Sequence, residues 1–475
     1  MADALGNSFL SLYSSSDSTS SYIENYVHED SIEISDTAAV KPAHSIQEMN
    51  LFYERVQAAS RSLSDSSIAS IPKPVMEKLY RLQLLYSSNT SDDALEMAQF
   101  AVKLENEPFI PKDKALNFEI LPSESSDILK AFVEYSYDKK KRLKHQTYIL
   151  RLHGVGKHKK MYQATHLRTY QQKAILILDK SQISKKELEN ELAFQDILKK
   201  VKGCVTAKKI FTNDSYVILM TTLCNKGTLE REIKLTGELY ERRVLFELYI
   251  LSGIFAQMHN EKVLHGDIKP DNIMYTKSHK YNLMELKVID FGSSRFITKE
   301  GINQPLGGPV LFLPPEATKI RIKILELKEL EANLDKLKKA LVRKNALKRY
   351  KCKLSKKRSE IQRANALITS KLDVYMLGET FYMRINGGKL PPVQAEFAAR
   401  IKQGTASGKD EIIEIYLNMT GKNMPYKEPS RRKFLQHLIW RMLLPDQNRR
   451  PSMHQIHTML SKKYPFLEAE SINWY

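Results

Sequence analysis

Cysteine is scarce in this sequence. The 475 residues include three cysteines, Cys204, Cys224 and Cys352, and their spacing matches no metal-ligand pattern. So few thiols without such a pattern indicate a reducing compartment, in which we expect the thiols to be buried or inert. We therefore predict a cytoplasmic protein without a cysteine-ligated metal, with a secreted effector that acts in the cytosol of a host cell as the alternative.

Long apolar runs are also missing. No stretch reaches the roughly 18 apolar residues of a membrane-spanning helix. The N-terminus has no basic segment followed by an apolar one, so we predict no secretory signal peptide. With 42% hydrophobic residues, the chain is long enough for two or three domains with cores of their own.

Basic residues are absent from one segment and concentrated in another. Residues 1–40 contain seven acidic residues, ten serines and no Lys or Arg. This composition predicts a disordered leader over residues 1–43, either a solvated extension or a phosphorylated regulatory tail. Residues 317–372 contain 18 basic and five acidic residues, so they carry +13 of the net charge of +19. Binding of nucleic acid by the whole protein does not follow from that charge.

The stretch 44–137 has apolar residues at helical spacing. The first group of them is Ile46, Met49, Phe52 and Val56. A later helix is predicted through Ile128, Phe132 and Val133, with a serine before it as the cap. We interpret the stretch as a helical region of unknown role.

Two short motifs bring polar side chains together. Residues 263–272 read Val-Leu-His-Gly-Asp-Ile-Lys-Pro-Asp-Asn, and residues 290–292 read Asp-Phe-Gly after an apolar run. Two carboxylates, an amide and an ammonium are the groups that phosphoryl transfer needs. Carboxylate and amide oxygens hold Mg²⁺, a second carboxylate takes the proton of the hydroxyl, and the lysine offsets developing charge.

These motifs resemble the catalytic loop His-Arg-Asp-x-x-x-x-Asn and the metal loop Asp-Phe-Gly of the protein kinases. The resemblance implies an α+β, bilobal kinase fold that uses ATP and Mg²⁺. It implies that Asp267 is the base, that Lys269 stabilises the transferred phosphoryl group, and that Asn272 and Asp290 hold the metal.

A glycine-rich segment precedes these motifs by about 110 residues. Gly154 and Gly156 match the kinase loop that covers the phosphates, and Lys159 stands at the position of its third glycine. At the position of the usual ATP-binding lysine the sequence has Leu176. The with-no-lysine kinases carry their lysine in the glycine-rich loop, so the resemblance favours Lys159 as the phosphate lysine. A catalytically impaired protein is the alternative.

Two other lysines lie on the same predicted strand as Leu176. Lys173 has the opposite facing parity, and Lys180 lies on the same strand face as Leu176 but four residues, about 13 Å, further along. For either lysine to take the place of the ATP-binding lysine, the strand would have to shift its register, and that shift would expose its buried face.

The resemblance also assigns the remaining nucleotide-binding residues. Glu191 is the helical glutamate that pairs with the ATP lysine, and Thr221 is the gatekeeper. The backbone of the hinge, which includes Leu223 and Cys224, would hold the adenine. Thr221 is small, so the pocket behind it would be roomy.

The catalytic loop departs from the family at one position. Gly266 replaces the arginine that normally receives a phosphate on the activation segment. We therefore predict a kinase that is not gated by activation-loop phosphorylation. Lys269, two residues after Asp267, matches the pattern specific for Ser/Thr.

Later residues extend the resemblance over 148–465. Glu316 is expected to pair with Arg450, and Asp373 is expected to brace the catalytic loop. Residues 318–370 are longer than the corresponding kinase segment, lack Gly and Pro, and carry heptad-spaced leucines and isoleucines. They predict a basic, coiled-coil-like helical hairpin that turns near Asn345, inserted in the C-lobe.

The surface of this predicted hairpin is either simply solvated or a docking site. An acidic protein, an anionic membrane or nucleic acid would fit its charge. The whole sequence predicts an ATP-dependent Ser/Thr kinase that phosphorylates protein substrates. The alternatives are a pseudokinase scaffold that binds partners through the basic segment, and a kinase for a small molecule or lipid.

Overall fold

The computed structural model describes residues 100, 104, 118–122, 129–140, 142–155, 159–236, 241–277, 284–298, 301–302, 312–339, 344–402, 427–430 and 433–471. The predicted leader over 1–43, most of the predicted helical region and Gly156 lie outside these residues. The chain divides into a sheet unit, made of residues 118–185 and 207–223, and a helical unit, made of residues 186–206 and 224–471.

The sheet unit is built on seven antiparallel strands. They lie side by side in the order β1-β2-β3-β4-β5-β7-β6. Their bounds are β1 Phe118–Pro122, β2 Leu129–Tyr137, β3 Leu143–Val155, β4 Lys159–His166, β5 Gln172–Asp179, β6 Lys209–Thr212 and β7 Tyr216–Thr221. On one face Phe132, Tyr148 and Ile218 are almost completely buried and form the centre of an apolar cluster. This apolar face is what stabilises the sheet.

The helix predicted through Ile128, Phe132 and Val133 is wrong, because Leu129–Tyr137 forms β2. Ala131, Phe132 and Val133 are all buried, so both faces of this strand are covered. A short run that is apolar on both faces cannot be assigned to helix or strand from periodicity alone. Hydrogen bonding to β1 and β3 makes this run a strand. Residues that the sequence assigned to a helical region therefore add two strands, β1 and β2, to the sheet.

The helical unit surrounds one large apolar core. Its helices are α1 Lys185–Leu198, α2 Leu229–Thr236, α3 Glu241–Asn260, α4 Pro315–Lys339, α5 Lys344–Asn365, α6 Lys371–Ile385, α7 Pro392–Lys402, α8 Phe434–Met442, α9 Met453–Lys463 and α10 Phe466–Ser471. Its short strands are β8 Val263–Leu264, β9 Ile273–Lys277, β10 Met284–Val288, β11 Arg295–Thr298 and β12 Gly301–Ile302. Helices α3 and α6 bury most of their side chains and form the centre of this core.

Two helices occupy the basic segment. Helix α4 ends at Lys339 and α5 begins at Lys344, close to the turn predicted near Asn345. Lys323 lies 3.9 Å from Glu360, and Arg358 donates to Glu331 at 2.7 Å, while Lys357 pairs with Glu326. From Lys323 to Glu326 along α4, the ion-pair partner on α5 moves back from Glu360 to Lys357. The two helices are therefore antiparallel. Leu334, Leu354 and Ile361 are buried at this segment.

A buried ion pair joins α3 to α6. Arg384 donates to Glu247 through Nε at 2.9 Å and through its terminal nitrogen at 3.0 Å, and both side chains are almost completely buried. Glu247 also accepts from the Tyr275 hydroxyl at 2.7 Å and from Arg243 Nε at 3.1 Å. The carboxylate is therefore fully satisfied inside the core.

Among the described helices, none has the length and apolar character needed to cross a membrane.

Candidate functional site

The loop between β8 and β9 holds its polar side chains against one another. Pro270 to Asn272 form a single 3₁₀ turn, which begins on proline and leads directly into β9. The amide Nδ2 of Asn272 donates to the main-chain oxygen of Asp267 at 2.7 Å and to its Oδ2 at 3.0 Å. Lys269 Nζ lies 3.3 Å from the same Oδ2. The predicted catalytic residues Asp267, Lys269 and Asn272 are thus brought together.

One carboxylate oxygen of Asp267 is unused. Its Oδ2 takes the contacts with Asn272 and Lys269, whereas Oδ1 is buried and accepts no hydrogen bond from any described residue. Burial raises the pKa of this carboxyl, the charge of Lys269 opposes that shift, and the charge of Asp290 reinforces it. A buried carboxylate oxygen without a donor could accept a proton from a group bound next to it.

Asp290 lies two residues after the end of β10 and directly before Phe291 and Gly292. Its φ of 63° is in the left-handed region, which non-glycine residues adopt rarely and mostly at functional positions. The main-chain nitrogen of Gly292 donates to Asp290 Oδ1 at 3.2 Å. A β-carbon at Gly292 would lie 3.3 Å from Asp290 Oδ1 and 3.9 Å from a carboxylate oxygen of Glu191. The predicted helical glutamate therefore lies beside the metal loop.

His265 connects the two loops. Its Nδ1 accepts the main-chain N–H of Asp267 at 3.2 Å, so Nε2 carries the proton that it donates to the main-chain oxygen of Ile289 at 3.1 Å. The main-chain nitrogen of Ile289 in turn donates to the oxygen of Asn272 at 3.0 Å. These bonds fix the position of Asp290 relative to Asp267.

Asp373 of α6 holds the main chain of the catalytic loop through hydrogen bonds, as predicted. Its carboxylate accepts the main-chain N–H of His265 at 2.9 Å and that of Gly266 at 3.0 Å. His259, at the end of α3, contributes a third contact at 2.8 Å that the sequence did not indicate, since no motif marks this position. Burial would raise the pKa of Asp373, but the contact with His259 and the main-chain donors lower it overall.

The predicted pair of Glu316 and Arg450 is also present. The guanidinium donates to the two carboxylate oxygens at 2.6 Å and 2.9 Å. It also donates to the main-chain oxygen of Leu444 at 2.6 Å and packs on the ring of Tyr375. This bidentate pair ties the start of α4 to the segment before α9.

The side chains near Asp290 offer the oxygen ligands that Mg²⁺ prefers. Mg²⁺ is commonly held by one or two protein oxygens together with substrate phosphates and water. The amide nitrogen of Asn272 bonds to Asp267, so the Asn272 amide oxygen and the Asp290 carboxylate are the hard donors that could hold the ion. Within the described ranges, no cluster of three or more His, Cys, Asp or Glu side chains is arranged to hold a metal ion. Oxygens of a bound phosphate and of water would have to complete the coordination of Mg²⁺.

In the sheet unit, strand pairing places Lys159 on the same face as Leu176. Met161 lies directly opposite Leu176, and Lys159 lies opposite Leu178, two residue pairs further along and therefore on the same face. Directly paired residues project from the same face, and diagonal neighbours are typically about 7–8 Å apart. Thr221, opposite Ala174, belongs to this face too.

The two other lysines have partners elsewhere in the sheet unit. Lys173 Nζ donates to the Tyr148 hydroxyl at 3.2 Å and lies 5.2 Å from the centre of that ring, on the opposite face, as its parity predicts. Lys180 Nζ donates to the main-chain oxygen of Asn213 at 2.5 Å in the β6–β7 turn. Lys173 thus lies on the face opposite Leu176, and the ammonium of Lys180 bonds at the β6–β7 turn.

The residues predicted for adenine binding lie where the two units join in sequence. Thr221 ends β7, and Leu223 and Cys224 follow it in an extended segment. Burial raises the pKa of the Cys224 thiol to about 11 and that of the Cys204 thiol to about 12, which disfavours the reactive thiolate form of both. Gly154 lies near the end of β3, and a β-carbon there would meet no atom within 4 Å.

The loop geometry, the antiparallel sheet and the helices are together consistent with an α+β protein kinase fold. Residues 148–325 match the model of the protein kinase domain family. Curated proteins similar to part of the chain include serine/threonine-protein kinase ULK3 of Xenopus laevis, 30% identical over 34% of this chain and 35% of that protein. Calcium-dependent protein kinase 26 of Arabidopsis thaliana is 29% identical over 34% of each chain.

A third relative, calcium-dependent protein kinase 6 of Plasmodium berghei, is 37% identical over 24% of this chain and 7% of its own length. The chain thus spans about a third, or less, of the length of these curated relatives. The matches support a eukaryotic-type protein kinase.

Proposed function

We propose that this chain is an ATP-dependent serine/threonine kinase that phosphorylates protein substrates. The observation that carries the proposal is the state of Asp267, whose buried Oδ1 has no partner among the described residues while Lys269 and Asn272 hold Oδ2. Most buried carboxylate oxygens have a hydrogen-bond partner, so this oxygen can accept a proton from a substrate group placed beside it.

In this proposal the chain positions a hydroxyl group and removes its proton. The hydroxyl oxygen of a substrate Ser or Thr forms the new bond to the γ-phosphorus, the bond from that phosphorus to the β–γ bridging oxygen breaks, and ADP leaves. The hydroxyl proton goes to Asp267 Oδ1, and Lys269 offsets the charge on the transferred group. ATP would supply the phosphoryl group, and Asn272 and Asp290 would hold Mg²⁺, which would offset the charge of the phosphates.

We assign Lys159 as the lysine that binds the phosphates. Its place on the Leu176 face of the sheet supports this assignment, as do the partners that Lys173 and Lys180 have elsewhere. Glu191, beside the metal loop, is the candidate partner of that lysine.

The remaining nucleotide contacts follow from the family resemblance. Gly154 and Gly156 would cover the phosphates, and Thr221 would border the adenine. Leu223 and Cys224 would bind the adenine through their backbone. Each of these roles is an expectation about the bound state.

Regulation by a phosphate on the activation segment is not part of this proposal. Gly266 stands where the family carries the receiving arginine, and its φ of 75° is a backbone conformation that suits glycine. Its main-chain nitrogen is instead bonded to Asp373. We expect full activity without phosphorylation of this segment.

The alternative function is a pseudokinase scaffold that binds a partner through the basic surface of α5. Lys348, Arg349, Lys356 and Arg363 are exposed there, and an acidic protein or an anionic surface would fit their charge. Nucleic acid would be a further polyanion with the same attraction.

Transfer of radiolabelled phosphate from ATP separates these functions. We expect incorporation by the wild-type chain, loss of it in Asp267→Asn and Asp290→Asn, and loss in Lys159→Met. Lys173→Met and Lys180→Met serve as matched controls and should stay active. No incorporation by the folded wild type favours the scaffold, and loss in Lys180→Met but not in Lys159→Met contradicts the lysine assignment. Phosphoamino-acid analysis and an excess of lipid or small-molecule acceptors identify the class of substrate.

A further inference from the structure

The turn between β2 and β3 presents basic and apolar side chains together. Tyr137 and Leu143 form the last residue pair of this hairpin and expose 60% and 37% of their surface. Exposed basic residues surround them, and we call the whole group the hairpin tip: Tyr137, Lys139, Lys140, Arg142, Leu143 and Lys144.

The backbone of this turn is held in place by one carboxylate. Asp138 Oδ1 accepts the main-chain N–H groups of Lys140 and Arg142, each at 2.9 Å. Its Oδ2 accepts Arg142 Nε at 2.9 Å. The only acidic residue of the turn is thus used to organise it, while Lys139, Lys140 and Lys144 form no ion pair with any described residue.

An exposed apolar pair surrounded by basic side chains is a surface that a partner with both anionic and apolar groups can cover. The aromatic ring and hydroxyl of tyrosine suit the boundary between lipid headgroups and acyl chains, and leucine suits the layer beneath. Lysines around such a pair are attracted to anionic headgroups, each contributing to binding within a Debye length of the surface.

We propose that the hairpin tip binds the surface of an anionic lipid bilayer, with Tyr137 and Leu143 in the interface and the lysines on the headgroups. The basic surface of α5 differs in kind. Around Lys348 and Arg349 it exposes cysteine, serine and further basic residues, and no residue of α5 is among the exposed large hydrophobic side chains. That surface suits a polyanion in solution, whereas the tip has the apolar component that a bilayer requires.

Co-sedimentation of the full chain with vesicles tests the proposal. Binding should occur to phosphatidylcholine vesicles that contain phosphatidylserine, and not to phosphatidylcholine alone. Replacing both Lys139 and Lys140 by Gln should weaken binding about tenfold to thirtyfold at about 0.1 M salt, since each lysine contributes roughly a factor of five. Replacing Tyr137 and Leu143 by Ser should weaken it several-fold, and this loss should persist at high salt because it is not electrostatic.

A double variant of α5, Lys348→Gln with Arg349→Gln, removes the same amount of charge and serves as the matched control. It should bind the vesicles as the wild type does. The proposal is overturned if the wild type ignores phosphatidylserine, if neither tip variant weakens binding, or if the α5 variant alone does so. It is also overturned if heparin competes completely and the Tyr137 and Leu143 variant binds normally, because the site would then be a general polyanion site. Unchanged thermal unfolding of the tip variants verifies that these exposed substitutions leave the fold intact.

Discussion

The buried carboxylate of Glu247 provides a sharp test of the packing of the helical unit. We expect Glu247→Gln to keep the size of the side chain while it removes the charge that balances Arg384. The guanidinium is completely buried and would retain Thr236, at 3.3 Å, as its other side-chain partner in this network. Leaving one member of a buried pair uncompensated typically costs about 3–5 kcal/mol. Stability should fall by that amount.

The assay is urea unfolding followed by tryptophan fluorescence, to which Trp440 in α8 of the same unit contributes. Arg243→Gln is the control, because this arginine also contacts Glu247 but is substantially exposed, and such pairs contribute about 0–1 kcal/mol. Replacing both Glu247 and Arg384 by Met should restore much of the stability, since the uncompensated charge is then gone. A loss below about 1 kcal/mol in Glu247→Gln, or a double variant less stable than the single one, would refute this account of the core.

Three further results are expected at the site and its surroundings. Because burial raises the pKa of Asp267, phosphate transfer should fall as the pH drops through a value above the usual 3.8 of an aspartate; a rate that stays constant down to that value would contradict its role as the base. Asp373→Asn should lower kcat more than it raises the KM for ATP, measured by steady-state kinetics, since it loosens the catalytic loop. With a disulfide reagent at mild pH, Cys352 should react quickly while Cys204 and Cys224 react only on unfolding; a second fast thiol would show that burial does not protect them.

The polar part of the site was predictable because its residues are close in sequence. Asp267, Lys269 and Asn272 lie within six positions, so a single turn that starts at a proline suffices to bring them together. Long-range partners were predictable only where a family motif pointed to them, as for Asp373. His259 lies at the end of α3 with no such motif, and its contact with Asp373 arises solely from the packing of α3 against α6.

The strands before residue 143 show where local pattern fails. The run around Phe132 is apolar on both faces, so its periodicity is compatible with either helix or strand. Its conformation was decided by hydrogen bonds to two neighbouring strands, one of which lies after it in the chain. Strand pairing depends on segments that are distant in sequence, and propensity within one window does not contain that information.

Local sequence by itself determined the residue chemistry of the catalytic loop, the helices of the basic segment and the facing parity of Lys173, because each depends on neighbours a few positions away. Tertiary structure alone decided that Asp267 keeps one buried oxygen without a partner and that Tyr137 and Leu143 meet at an exposed turn. Burial and solvent exposure are properties of the assembled surface, and they arise only when distant segments pack together.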